Sequence, residues 1–260
     1  MTRRHASPRE VADVMVCALA AEIGDGDFVG VGLGTPLGLA AALLARATHA
    51  PGSALLAGGV FNADADLGAY LGGTRSLEGK ALAFVSHFAS MEMAERRTMT
   101  LQFLRPAQID GAGNLNTSRI GPRAAPKVRF PGGLATADVV SLLPRVVAYH
   151  TDHRPRSLVE RVDFVTGPGG RRHPAGGVSV LVTNLAVFDW GEEGVRLRSV
   201  HPWVEPRQVA EATGFRYRIS EPVATTPCPD PQQLQALEQI DEAGIRVTEM
   251  PTMDLRMSSR

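Results

Sequence analysis

Leu101-Gln102-Phe103-Leu104-Arg105-Pro106-Ala107-Gln108-Ile109-Asp110 opens the stretch whose reading decides the fold. It continues as Gly113-Asn114-Leu115-Asn116-Thr117-Ser118-Arg119-Ile120-Gly121 and ends in Lys127-Val128-Arg129-Phe130-Pro131-Gly132-Gly133-Leu134-Ala135-Thr136-Ala137-Asp138. An apolar run of strand character feeds a loop dense in uncharged amides and hydroxyls. A second short strand then meets a Pro-Gly-Gly turn that opens a helix, continuing through Leu143. A glycine turn at a helix N-terminus presents backbone N–H groups able to hold a carbonyl oxygen or an anion. An ordinary β–turn–α corner has the same pattern, since turns are where glycine is most used. The preceding donors favour a site.

On the N-terminal side, Ala81–Ser86 reads as a strand, with His87 at its end and a Met- and Glu-rich helix after it. Strand ends are where α/β sheets place ligands, so His87 is a candidate. Asp64 and Asp66, spaced among small residues, read as a solvated loop. Ser53–Leu56 is a short strand that ends in Ala57-Gly58-Gly59. Phe28-Val29-Gly30-Val31-Gly32-Leu33-Gly34 reads as a buried glycine-rich strand, and Thr35-Pro36 starts the helix after it. A dinucleotide fingerprint fails, because the third glycine counted from Gly30 is replaced by Thr35. Gly34 and Thr35 serve either close strand–helix packing or a helix N-terminus that faces a ligand. Ser7-Pro8-Arg9-Glu10 reads as a capping box for the first helix.

On the C-terminal side, Arg145–Tyr149 is a strand running into His150-Thr151-Asp152-His153-Arg154-Pro155-Arg156. Two histidines and an aspartate invite a metal, but no third ligand has diagnostic spacing and the arginines repel a cation. A His/Arg loop beside a polyanionic ligand is the better reading. Val178–Asp189 and Val195–Val200 are β-type runs joined by a turn at Gly191–Gly194. Helices are expected over 206–213 and 232–244, a strand over 216–219, and a linker over 225–231. Val/Ala-rich runs alternating with helices imply an α/β fold: an open, mostly parallel sheet with helices on both faces and an antiparallel extension in the C-terminal third. Residues 1–250 are expected to form a single domain, and 251–260 a disordered tail.

Composition excludes several classes. The chain has 27 basic and 27 acidic residues, so it lacks the basic surplus of a nucleic-acid binder. Cys17 and Cys228 make neither a disulfide framework nor a metal cluster. No apolar run reaches membrane-spanning length, and a cytoplasmic protein is expected. There is no G-x-S-x-G elbow, P-loop or metalloprotease helix.

Ala107-Gln108-Ile109-Asp110, Gly113-Asn114-Leu115-Asn116 and Pro131-Gly132-Gly133 together resemble the β-type subunit of the class I coenzyme A-transferases. Gly30–Pro36, His49-Ala50-Pro51, Asn116–Gly121, Val159–Thr166, Val182–Phe188, Ser199–Pro202 and Glu211–Gly214 extend the resemblance in order. It implies a CoA-transferase-like fold, no permanently bound cofactor, and coenzyme A as part of a thioester substrate. An α-type subunit is implied as partner, in a heterodimer or an α2β2 heterotetramer. Members of the family attack the thioester with a glutamate in a Glu-x-Gly motif. The corresponding segment here is Leu55-Leu56-Ala57-Gly58-Gly59-Val60, and no glutamate lies between Leu43 and Leu77. Phe103-Leu104-Arg105-Pro106 departs from the family a second time, with larger residues and a cation before Ala107.

The subgroup that lacks this glutamate resembles CoA-dependent ring-opening hydrolases of steroid breakdown, whose base is on the α-type subunit. That resemblance implies C–C bond hydrolysis, with C–C bond formation, CoA transfer between carboxylates, or a non-catalytic acyl-CoA-binding subunit as alternatives. It assigns oxyanion stabilisation to Gln108, Asn114, Asn116, Gly132 and Gly133. Gly34, Thr35, Gly58, Gly59, Leu134 and Ala135 are the residues expected to bind the CoA thioester.

Overall fold

Ser7 fixes where the first helix begins. Its Oγ accepts the Glu10 N–H at 3.2 Å while the Glu10 carboxylate accepts the Ser7 N–H at 2.8 Å, the reciprocal cap the sequence predicts. The computed structural model describes residues 6–32, 34–170 and 176–251. Leu33, Arg171, Arg172 and the expected tail from 252 onward lie outside the described residues.

The N-terminal third comprises α1 (Pro8–Ala20), β1 (Phe28–Val31), α2 (Pro36–Ala47), β2 (Ala54–Ala57), β3 (Val60–Phe61), α3 (Leu67–Leu71), β4 (Ala83–Phe84) and α4 (His87–Glu95). The deciding stretch gives β5 (Leu101–Leu104), β6 (Gln108–Ile109), β7 (Leu115–Asn116), β8 (Arg119–Ile120), β9 (Val128–Arg129) and α5 (Thr136–Leu142). Then follow β10 (Arg145–His150), β11 (Val178–Thr183), β12 (Ala186–Gly191), β13 (Gly194–Val200), α6 (Pro206–Ala212), β14 (Arg218–Thr225), α7 (Pro231–Ile240) and α8 (Ile245–Thr248).

Ten strands join in the order β14-β13-β12-β11-β10-β5-β1-β2-β3-β4. The five from β11 to β2 are mutually parallel, with Val31 of β1 beside both Phe103 of β5 and Ala57 of β2. The expected antiparallel extension is β12 and β13, which turn at Gly191 and Gly194. The reading of Val178–Asp189 as one run is corrected. Thr183 accepts the Leu185 and Ala186 N–H groups through its hydroxyl and breaks the run into two strands. A second antiparallel pair, β3 and β4, extends the other edge unforeseen, and β14 returns parallel to β13.

Alternation along β10 shows how the sheet divides the interior. Val147 and Tyr149 join a core with α1, α2 and α7 on one face. Val146 and Ala148 join a second core, with Val139 and Val140 of α5 and Val209 of α6, on the other. Gly38 lets α2 lie close to the sheet: a Cβ there would fall 2.6 Å from Phe103 Cβ. The parallel strands therefore deliver the residues that follow them (Gly32, Gly34 and Thr35, 58–59, 105–107 and 151–153) to one edge.

Candidate functional site

The carboxyl edge of β2-β1-β5-β10 is where open α/β sheets hold ligands. Because Val31 pairs with Ala57, Gly32 and the Gly58–Gly59 segment leave the sheet side by side. Gly58 and Gly59 both have positive φ, +58° and +82°. A Cβ on Gly58 would meet nothing within 4 Å, so this position faces open space. Gly59 instead abuts the neighbouring strand: its carbonyl accepts the Val85 N–H at 2.7 Å, and a Cβ would fall 2.8 Å from Val85 O. Gly59→Ala is therefore expected to cost about 1–3 kcal/mol, from the φ and the backbone clash together. An unchanged thermal midpoint in that variant would show that the turn relaxes without resistance.

At Gly34 and Thr35 the anion is supplied by the chain itself. Thr35 is the N-cap of α2 but makes no side-chain capping bond; it is buried, and its Oγ1 donates to Gly32 O at 2.6 Å. The Leu37 N–H in the first turn of α2 donates at 3.3 Å to Oε2 of Glu249, the residue after α8. Tyr149, fully buried at the end of β10, donates its hydroxyl to the same oxygen at 2.9 Å. Arg105 Nη1 pairs with Glu249 Oε1 at 2.8 Å, its own side chain 38% exposed against 8% for the glutamate. Burial pushes the Glu249 carboxyl up, opposed by Arg105, Tyr149 and the Leu37 N–H. Burial and the Glu249 charge push the Tyr149 phenol well up. Arg105 thus stands at the strand ends, backed by a buried carboxylate.

Sequence reasoning missed Glu249 and Tyr149. Tyr149 was legible as the end of a strand, but nothing local signals a glutamate 212 residues from Leu37 and 100 from Tyr149.

His150, half-buried beside this cluster, accepts the Asp152 N–H on Nδ1 at 3.0 Å. Burial, then the Arg105 charge, pushes its ring down to about 4. His153 corrects the reading of a ligand-facing loop. It is buried between Thr183 Oγ1 at 2.8 Å on Nδ1 and Thr213 Oγ1 at 2.9 Å on Nε2, and faces inward. His87 is exposed as the first residue of α4. Asp66 is an exposed cap, accepting the Ala69 N–H at 2.7 Å. Among the described residues no group of three or more His, Cys, Asp or Glu could hold a metal ion.

The side-chain amides of Asn114 and Asn116 donate within the loop rather than to an oxyanion, and Gln108 is tied to it through its carbonyl oxygen. Asn116 is fully buried; its Nδ2 donates to Gln108 Oε1 at 2.8 Å and Arg119 O at 2.7 Å. Its Oδ1 accepts the Ser118 and Arg119 N–H groups. Gln108 Oε1 also accepts the Asp163 N–H at 3.0 Å. Asn114 donates to both Asp110 carboxylate oxygens at 3.0–3.1 Å and accepts the Gly169 N–H at 2.8 Å. A buried polar loop has to satisfy its own donors first, and these side chains do that.

Gly132 is corrected for the same reason. Its N–H donates to Thr117 O at 3.2 Å, and its carbonyl accepts Thr117 Oγ1 at 3.0 Å. The Gly133 carbonyl accepts the Thr136 N–H at 2.6 Å. Leu134 follows with φ +43° and is 77% exposed, and Ala135 precedes α5, a helix of only seven residues. The structure thus brings Gly34, Thr35, Gly58 and Gly59 to the carboxyl edge. Gly132–Ala135 form a separate turn anchored on the polar loop.

Residues 13–212 match the coenzyme A transferase family. A 3-oxoadipate CoA-transferase subunit of Pseudomonas knackmussii is 32% identical over 151 residues, 54% of this chain and 57% of that protein. The cholesterol ring-cleaving hydrolase IpdB subunit of Mycobacterium tuberculosis is 29% identical over 252 residues, 92% of this chain and 98% of that protein. The solved structure of the decarboxylase AibA/AibB superposes with a TM-score of 0.82 at 30% identity, covering 95% of this chain and 99% of that one. With the ordered strand-end loops and the match along most of its length, the chain belongs to the coenzyme A transferase family.

Proposed function

We propose that this chain is the β-type subunit of a two-subunit cytoplasmic enzyme that cleaves a C–C bond in the acyl part of a CoA thioester. The observation that carries the reading is the turn after β2. No carboxylate stands at Ala57-Gly58-Gly59, and Gly58 faces open space. Without a carboxylate there, neither the acyl anhydride nor the glutamyl thioester of transferase chemistry can form on this turn.

Heterolytic C–C cleavage needs no such nucleophile. A base on the α-type partner takes a proton from water, and the hydroxide attacks the ring ketone of a cyclic β-keto thioester. The bond from that carbonyl carbon to the thioester α-carbon breaks, and its electron pair becomes a thioester enolate. Protonation of the α-carbon leaves a new carboxylic acid. This chain's part is to seat the thioester against Gly58 and Gly59 at the carboxyl edge, where backbone N–H groups oppose developing negative charge. The relatives that cleave rings or remove carbon dioxide support cleavage over CoA transfer. Phe84, paired with Val60 next to Gly59, is 55% exposed, and Phe88 in the following helix is 80% exposed; these apolar side chains support a partner on this side.

Decarboxylation is the second reading, favoured by the 30% identity to AibA/AibB along 99% of that chain. The complex with the α-type subunit, incubated with a cyclic β-keto acyl-CoA in H₂¹⁸O, decides by mass spectrometry. A ring-opened acid carrying one ¹⁸O in its new carboxylate is the expected result. Carbon dioxide released from a carboxyl-bearing acyl-CoA supports the second reading. CoA moved to an added acceptor would overturn both.

A further inference from the structure

Residues 111–137 contain no aspartate or glutamate, yet Arg119, Arg123, Lys127 and Arg129 fall within eleven of them. They lie on the β8–β9 hairpin, where Arg119 is paired directly across from Arg129. Like charges directly opposed on a two-stranded sheet repel, so the pattern is unfavourable in the isolated chain. Some exposed arginines elsewhere are paired, Arg96 with Glu92, Arg196 with Asp189 and Arg207 with Glu211, and others such as Arg75 and Arg97 have no ion pair among the described residues. On the hairpin, Arg123, Lys127 and Arg129 are exposed, with no ion pair among the described residues.

The hairpin is held in place despite this charge. The Lys127 N–H donates to Ile120 O at 2.9 Å, and the Phe130 N–H to Ser118 O at 3.0 Å. The Gly121 N–H donates to Asp163 Oδ2 at 2.7 Å. The Arg119 guanidinium carbon lies 5.1 Å from the centre of the Phe164 ring. A fixed concentration of uncompensated cations next to the Gly132–Ala135 turn fits a compact polyanion.

We propose that this hairpin seats the phosphates of the nucleotide end of the CoA thioester. The inference rests on the acyl-CoA reading above and extends it to a phosphate subsite. The pantetheine arm separates the phosphates from the reacting carbonyl, so their seat belongs on a loop away from the strand ends. A nucleic acid fits less well, because the chain as a whole has no basic surplus.

The test compares CoA with pantetheine, which lacks the nucleotide, by titration calorimetry on the complex with the α-type subunit. The variant is Arg123→Gln/Lys127→Gln/Arg129→Gln, checked for an unchanged urea midpoint. The expected result is CoA binding weakened by about tenfold or more, a shallower dependence on salt, and unaltered pantetheine binding. Equal CoA affinity in variant and parent would overturn the proposal. So would parallel loss of both ligands, or dissociation of the partner subunit in place of weaker CoA binding. If the parent complex binds neither ligand, the acyl-CoA reading itself fails.

Discussion

Replacing Arg246 with methionine is expected to lower the unfolding free energy by about 3–5 kcal/mol. Arg246 is fully buried, donating from Nε to Asp13 Oδ1 at 2.7 Å and from Nη1 to Asp241 Oδ2 at 2.9 Å. Asp241 is itself buried and also accepts the Ile245 and Arg246 backbone N–H groups, so it starts α8. Burial already pushes the Asp13 carboxyl up against the pull of Arg246. Without the guanidinium, two carboxylates would be left in the interior with no cation. The urea midpoint of Arg246→Met reads the loss directly, and adding Asp13→Leu should recover part of it, because an apolar replacement removes one stranded charge. A variant that unfolds like the parent would mean that water reaches the cluster. The effect is expected to extend to the site, since α8 carries Glu249 to Arg105 and Tyr149.

Acid should unfold the protein through buried histidines. His201 is completely buried, with Nε2 2.7 Å from Thr183 O and Nδ1 3.1 Å from Thr226 Oγ1. Burial pushes its ring down to about 4. His153 is pushed down to about 3, by burial first and then by the His150 and His201 charges. In the unfolded chain both return to about 6.5. The unfolded state therefore binds more protons between these values, and stability falls as pH drops from about 6.5 towards 4. At 1.36 kcal/mol per unit, each ring contributes roughly 3–5 kcal/mol to that loss, flattening once the folded rings also protonate. Denaturant titrations at pH 7, 5.5 and 4.5 measure it. His201→Gln should flatten the slope even if it lowers stability at pH 7, and an unaltered slope would exclude His201 as a source.

Local sequence made much of the fold legible. The Ser7–Glu10 capping box, the parallel runs and the Gly191–Gly194 turn act over a few residues, and each is found in place. What was hidden depends on distance along the chain. Asp13 reads as a polar interruption in the buried face of α1 until Arg246, 233 residues later, reaches it. Gln108, Asn114 and Asn116 are visibly polar, but sequence does not say whether an amide serves a ligand or its own loop. Here Gly169 and Asp163, both 55 residues on, supply the partners. Arg105 stood out as a departure from the family, while the Glu249 that gives it a setting did not.

The contact between Asp13 and Arg246 also has a consequence in time. At the usual pace of synthesis, roughly 5–20 residues per second, Asp13 waits about 10–50 s for its partner to be made. Until then α1 and α2 lack α7 and α8, and β1 waits for β5, whose Leu101 pairs with Val29. The nascent chain therefore carries its most apolar helices and an incomplete sheet through most of its production.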